Sequence, residues 1–271
     1  MSDYTQLAPH VLVESQDGVR VLTLNAPDRY NAVDDDMHHA LIGAWRLLES
    51  DEGACAVVIT GAGPAFSAGG DMDHLRNAHN DPVLRRQTIR TAERLIRAAV
   101  SCELPVVAAV NGPAVGVGAT LALLSDLVVI AEDTYIADPH VSVGLVAGDG
   151  GASLWPSYMS MLRAKEHLLL GTPVTADECL RLGIANRVVP NSEVLSAALE
   201  LGARLAGQPR QAIRDTKRAL NMHLRQAVDR TIDFALAAEG ESMAGDDVMA
   251  TVERFTARSA RKTSAGASSP R

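Results

Sequence analysis

Several classes of protein are excluded by what the 271-residue chain has little of. No stretch reaches the roughly 18 consecutive apolar residues that a membrane span requires, and residues 1–9 carry neither a basic segment nor an apolar core of a secretory leader. The expectation is a cytoplasmic protein. Cysteine is sparse: Cys55, Cys102 and Cys179 are odd in number and widely spaced, with no C-x-x-C. That argues against a disulfide framework or a zinc site and for a reducing compartment, so no metal is expected. Positive charge is in deficit, 25 Lys and Arg against 33 Asp and Glu for a net charge of −8. Nucleic acid and anionic membrane both reward a basic surface and are not expected as partners. The chain also lacks internal repeats and low-complexity linkers.

What is present is a composition that is 47% hydrophobic, enough for one sizeable α/β core. Residues 11–14 and 19–24 are apolar runs around the turn signal Ser15-Gln16-Asp17-Gly18, which predicts a hairpin. Asp34-Asp35-Asp36 then opens a helix, its acids suited to the positive end of the dipole, with Met37, Leu41, Ala44, Trp45 and Leu48 on one stripe. Residues 55–60, 105–110 and 126–131 predict buried strands. Residues 83–100 form an amphipathic helix with an Arg-rich, solvated face, and residues 117–124 a short apolar one. Thr175-Ala176-Asp177-Glu178 has the form of a capping box, closed at the far end by Gly183, and Val188-Val189-Pro190 is a brief edge strand. Helix follows from Ser192, with Leu195, Ala198, Leu201 and Leu205 on one face, then over 213–224 and 227–238. Residues 10–206 are expected to form the core and 207–257 a helical segment. Residues 258–271, with Arg258, Arg261, Lys262 and Arg271 but no acid, read as a disordered tail.

The chemistry points to two glycine-rich stretches, Phe66-Ser67-Ala68-Gly69-Gly70-Asp71 and Asn111-Gly112-Pro113-Ala114-Val115-Gly116-Val117-Gly118. Each follows a buried strand, where glycine leaves backbone N–H groups bare; two such groups can hold an oxyanion. A third segment, 138–151, is dense in turn formers and titratable groups and contains His140 and Asp149. His38 and His39 are adjacent on the first helix and so diverge; at most one can face a pocket, and surface positions are favoured. His74 follows the first glycine stretch, within reach of a ligand, but is expected to cap or solvate the next helix.

Taken together, residues 24–34, the Phe66 to Asp71 stretch, residues 109–118 and residues 175–190 resemble the enoyl-CoA hydratase/isomerase (crotonase) superfamily in order and spacing. The resemblance covers about residues 11–205. It implies an α/β core of repeated ββα units, a C-terminal helical segment that assembles a homotrimer or homohexamer, and lyase or isomerase chemistry on acyl-CoA thioesters. Coenzyme A is then part of the substrate, and no separate cofactor is implied. Carried over position by position, the oxyanion hole falls on the backbone N–H of Ala68 and Val117. Ala68, Gly69, Gly70 and Asp71 line the CoA arm, while Arg29 and Ala32 lie toward the nucleotide.

The departures from that pattern bear on the reaction. Where hydratases of the family carry two glutamates, this chain has Thr120 and His140, and threonine does not transfer protons near neutral pH. His140 suits general-base work, and Asp149, nine residues on, is placed to hydrogen-bond one ring nitrogen while the other takes a proton from water. The His/Asp spacing resembles the β-diketone (oxocamphor-type) hydrolase branch, where such a pair drives retro-Claisen C–C cleavage. Two alternatives to a thioester enzyme therefore stand: that hydrolase, and a CoA-binding scaffold without turnover.

Overall fold

The computed structural model describes residues 3–254, and the expected tail at 258–271 lies outside them. Strands β1 (Val11–Gln16) and β2 (Val19–Leu24) pair antiparallel across Asp17 (φ 45°) and Gly18 (φ 83°). Two consecutive left-handed residues are what a two-residue hairpin turn needs to follow strand twist. β3 (Ala56–Gly61), β4 (Val106–Val110), β6 (Leu127–Ala131) and β9 (Arg187–Val189) continue as parallel strands, giving the order β1-β2-β3-β4-β6-β9.

Alternate residues of these strands feed two cores, as the pleat dictates. Val58, Val107, Ala109 and Val129 pack under Val194, Ala198 and Leu201 of α8 (Val194–Ala206). Val57, Ile59, Ala108 and Ile130 face the main core, which includes α1 (Asp35–Ser50) and α3 (Pro82–Ser101). Val194 takes the buried place on α8 that the sequence pattern gave to Leu195, which is exposed.

α1 starts where its acids indicate, the Asp34 side chain accepting from Met37 N–H at 2.9 Å. A short helix precedes α3, α2 (Met72–Asn80), capped by the Asp71 carboxylate on the N–H groups of Asp73 and His74. β5 (Ala114–Val115) leads into α4 (Val117–Leu123), and β5 joins β7 (Tyr135–Ala137) and β8 (Val174–Thr175) in a second, three-stranded sheet. α5 (Gly151–Tyr158) and α6 (Met161–Leu170) lie between β7 and β8, and α7 (Ala176–Leu182) follows with Thr175 as N-cap and Gly183 in the left-handed region.

The two C-terminal helices expected at 213–224 and 227–238 are one 33-residue helix, α9 (Arg210–Ser242). Arg225 and Gln226 at the expected break are good helix formers, so nothing stops the turn. Lys217 docks α9 on the core, donating from Nζ to Leu104 O at 2.6 Å and pairing with Asp126 at 2.7 Å. Val228, Ile232, Ala235 and Leu236 bury its middle, so Leu236 belongs to the chain's own core, while Leu220 and Phe234 stay exposed. Residues 246–254 are again helical and close Met243, Val248 and Val252 over Leu75 and Leu145. Among the described residues no helix is long and apolar enough to cross a membrane.

Candidate active site

The two glycine stretches, the loop after β7 and α9 meet around a cavity. Ala68 to Asp71 form one wall, Val115 to Val117 another, and His140, Asp149 and Glu239 a third.

Backbone geometry decides which N–H groups face the cavity. Val33 N–H donates to Gly69 O at 2.8 Å and Asp71 N–H to Val33 O at 3.1 Å, a parallel bridge centred on Gly70. In such a bridge the groups flanking the central residue are used, so Gly70's own N–H points away from Val33, and it has no partner among the described residues. A side chain at Gly70 would meet nothing within 4 Å. Val117 is the first residue of α4, where N–H groups have no intrahelical acceptor; the first α-type bond runs from Thr120 N–H to Gly116 O. The donor expected at Ala68 is not free. Its N–H is bonded to Tyr30 O at 2.9 Å, a correction that moves the available donor two residues along, to Gly70.

His140 sits at the end of the Asp138-Pro139-His140 turn, buried with both ring nitrogens facing carboxylates. Asp138 Oδ1 accepts from Nδ1 and, at 3.3 Å, from the His140 backbone N–H, which fixes the ring plane. Nε2 lies 3.5 Å from Asp149 Oδ1 and 4.0 Å from Glu239 Oε1. The structure therefore brings His140 and Asp149 together, but the partner that orients the ring is Asp138. Asp149 stands on the Nε2 side and lines the cavity.

Burial by itself disfavours the imidazolium. The charges of Asp138 and Asp149, the Asp138 hydrogen bond and Glu239 outweigh it and hold the His140 pKa well above its ordinary value. Asp149 is pushed up by burial, against the pull of His140, and Glu239 is pushed up to about 8 by burial and by Asp149. At neutral pH the cluster thus stores protons: His140 is charged and Glu239 is a neutral acid. Asp149 Oδ1 and Glu239 Oε2 are buried without a hydrogen-bond partner among the described residues, which leaves an acceptor on Asp149 and a protonated carboxyl on Glu239. Asp138, His140 and Asp149 also bring donor atoms within 4.8 Å of one another, a spacing that suits a cation, but the proton between Asp138 and Nδ1 already occupies that face of the ring.

The loop can press this close because its glycines lack side chains. A Cβ on Gly151 would fall 2.1 Å from Asp138 Oδ2, and one on Gly148 2.5 Å from Glu239 Oε2. Thr120 stands outside the His140 cluster: its hydroxyl donates to Asp149 O at 2.9 Å and holds the loop in place.

Other expected residues are placed differently. Asp71 lines the cavity, but its carboxylate caps α2 and pairs with Arg29 at 3.4 Å. Arg29 also pairs with Asp34 at the start of α1, so it ties two helix caps together. Ala32 is buried and, like Arg29, is not among the lining residues. His39 is exposed, but His38 is buried and lines the cavity, contrary to the surface position expected for it. The signal was there, since His38 falls three residues before Leu41 and seven before Trp45 on the buried stripe. Two functional candidates were missed. Asp138 lies two residues from His140 in the same turn, and Glu239 continues the buried spacing of Val228, Ile232 and Ala235, where a lone carboxylate is unusual.

The family model for enoyl-CoA hydratase/isomerase matches residues 14–262. A solved enoyl-CoA hydratase/isomerase from Mycobacterium paratuberculosis is 45% identical, covering 90% of this chain and 98% of its own, with a TM-score of 0.87. The 1,2-epoxyphenylacetyl-CoA isomerase of Escherichia coli is 33% identical over 227 residues, 83% of this chain and 86% of that protein. A β-diketone hydrolase from the cyanobacterium Anabaena, solved with (S)-3-oxocyclohexyl acetic acid, is 26% identical, covers 90% of this chain and 98% of its own, and has a TM-score of 0.83.

Proposed function

Because the chain belongs to the enoyl-CoA hydratase/isomerase family and is an enzyme of that superfamily, we propose that it moves protons on acyl-CoA thioesters through an enolate held by the backbone N–H groups of Gly70 and Val117. The observation that carries this reading is that both N–H groups are without partners among the described residues and belong to the cavity that holds His140, Asp149 and Glu239. A thioester oxygen between the two donors gains more from them as it becomes an enolate than as a neutral carbonyl, which lowers the barrier selectively. Asp149, less acidic than an ordinary aspartate, takes the proton from the carbon beside the carbonyl. The C–H electron pair passes into the enolate. A proton returns from the His140 and Glu239 side, to the same carbon or to the conjugated one, and His140 remains oriented by Asp138 throughout.

Water addition by two carboxylates is not supported, because Thr120 stands where one is needed and its hydroxyl is spent on Asp149 O. The exposed Leu162, Leu170, Leu220 and Phe234 support a homotrimer or homohexamer, which light scattering will size; a monodisperse monomer contradicts it.

A second reading, retro-Claisen cleavage of a β-diketone, is favoured by one observation: a His140 backed by Asp138 beside Asp149, in a chain that also resembles the Anabaena hydrolase. Deuterium exchange separates the two. Butanoyl-CoA and 3-hexenoyl-CoA in D2O are expected to gain deuterium beside the carbonyl, and Asp149→Asn is expected to stop it. No exchange, together with cleavage of a cyclic β-diketone, gives the site to the hydrolase; binding of CoA with neither reaction leaves a scaffold.

A further inference from the structure

The cavity has a second polar group of residues, away from the His140 cluster, that proton transfer does not use. His38 and His74 both line it, among the apolar side chains of Val33, Leu75, Ile89 and Ala92. We infer that these two histidines form a subsite for a hydroxyl group on the acyl chain, so that the substrate is a hydroxylated acyl-CoA and not a plain alkyl one; this rests on the acyl-CoA reading above.

The hydrogen bonds fix which way each ring faces chemically. His38 Nδ1 lies 3.1 Å from Asp34 O. A carbonyl only accepts, so Nδ1 carries the hydrogen. Burial pushes the His38 pKa down to about 4, against the pull of Asp34 O. The ring is therefore neutral, and Nε2, with no partner among the described residues, is a bare lone pair. The same logic runs through His74. The Thr88 hydroxyl donates to Leu84 O at 3.0 Å, so Thr88 Oγ1 must accept from His74 Nε2–H at 2.9 Å. With Nε2 donating, Nδ1 is the lone-pair nitrogen of that tautomer.

Two acceptors set in an apolar wall select a ligand group that donates. An alkyl chain leaves both desolvated and unpaired, and a carbonyl places lone pair against lone pair; a hydroxyl satisfies them. The discrimination therefore comes from the direction in which the Leu84–Thr88–His74 and Asp34–His38 chains run.

Binding of paired CoA thioesters to the full chain tests this: butanoyl-, hexanoyl- and octanoyl-CoA against their ω-hydroxy counterparts, by titration calorimetry. At one chain length the hydroxylated form is expected to bind about tenfold more tightly, the scale of one well-made hydrogen bond. In His38→Asn the amide still donates to Asp34 O but the distal acceptor is gone, so the ratio should fall toward one; His38→Gln, which returns an acceptor near the Nε2 position, should recover part of it. Thr88→Val, which releases His74, supplies an independent reading if the Asn variant does not fold. Alkyl thioesters binding as well as hydroxylated ones at every length overturn the subsite, as does a preference that survives in both His38→Asn and Thr88→Val. Failure of every thioester to bind overturns the acyl-CoA reading itself and this subsite's substrate with it, a result distinct from binding without discrimination.

Discussion

Replacing Glu239 with glutamine tests the stored proton directly. In the unfolded chain this carboxyl ionises near 4.5, and in the folded protein burial and Asp149 move it to about 8. Between those two values the folded state binds more protons than the unfolded one, so wild-type stability falls as pH rises. The gap of about 3.5 in pH corresponds to roughly 5 kcal/mol over the whole interval, and to about 3 kcal/mol between pH 5 and pH 7.5, at about 1.36 kcal/mol per unit. Glutamine is nearly isosteric and never ionises, so Glu239→Gln should match wild type at pH 5, where the glutamate is protonated and neutral. It should then become progressively the more stable protein. For a chain of this size about 3 kcal/mol is a melting-temperature difference of roughly 6–12 °C. Differential scanning fluorimetry of both proteins at half-unit steps from pH 5 to pH 8 measures it. The His140 contribution is common to both curves and largely cancels in their difference. Melting curves that stay parallel across that range would falsify the assignment of a neutral acid to Glu239.

Three further outcomes are expected. His140→Ala and Asp149→Asn should each lower turnover about a hundredfold to ten-thousandfold, and Asp138→Asn should do the same through loss of ring orientation although it never touches substrate; the double variant His140→Ala/Asp149→Asn should lose little more than either single one, because the cluster acts as a unit. Steady-state kinetics of the single and double variants check this, and independent, additive losses contradict it. Val117→Pro removes a donor at a helix position that tolerates proline and should cost about a hundredfold to a thousandfold in kcat with the circular dichroism spectrum intact, whereas a folded variant with full turnover shows that Val117 is not a donor. Lys217→Met strips Leu104 O and Asp126 of their buried cation and should destabilise by about 2–4 kcal/mol, read by urea titration, with the Val106 N–H left as the partner of the Asp126 carboxylate; an unchanged midpoint shows that α9 docks without it.

Local pattern carried much of the fold. The alternation of Val57 and Ile59 against Ala56 and Val58, the stripe from Met37 to Leu48, and Asp17-Gly18 between two apolar runs each satisfy a rule that acts within a few residues. The strands β5, β7 and β8 were not visible, because two or three residues become a strand only when a partner from elsewhere supplies the hydrogen bonds. α2 was hidden by its low apolar content, and α9 was split in the sequence reading although no residue breaks it. The pairing of His140 with Asp149 was legible because both lie in one turn-rich segment, nine residues apart.

Which partner faces which nitrogen was not legible. Asp138 takes Nδ1 because the tight Asp-Pro-His turn folds its carboxylate back on the ring, and Glu239 arrives on α9 from a hundred residues away, where only packing can place it. That the free N–H lies at Gly70 and not at Ala68 among the described residues has the same cause: the sequence shows that glycines leave N–H groups bare, but the bond from Ala68 to Tyr30 and the bridge to Val33 are tertiary. The amino-acid sequence by itself determined the strands, the helix starts and the presence of an imidazole and a carboxylate in one loop, since these depend on neighbours along the chain. The tertiary structure alone decided the direction of each hydrogen bond in the cavity, and with it which groups hold protons, because a proton's position depends on what every surrounding element brings to the same few ångströms.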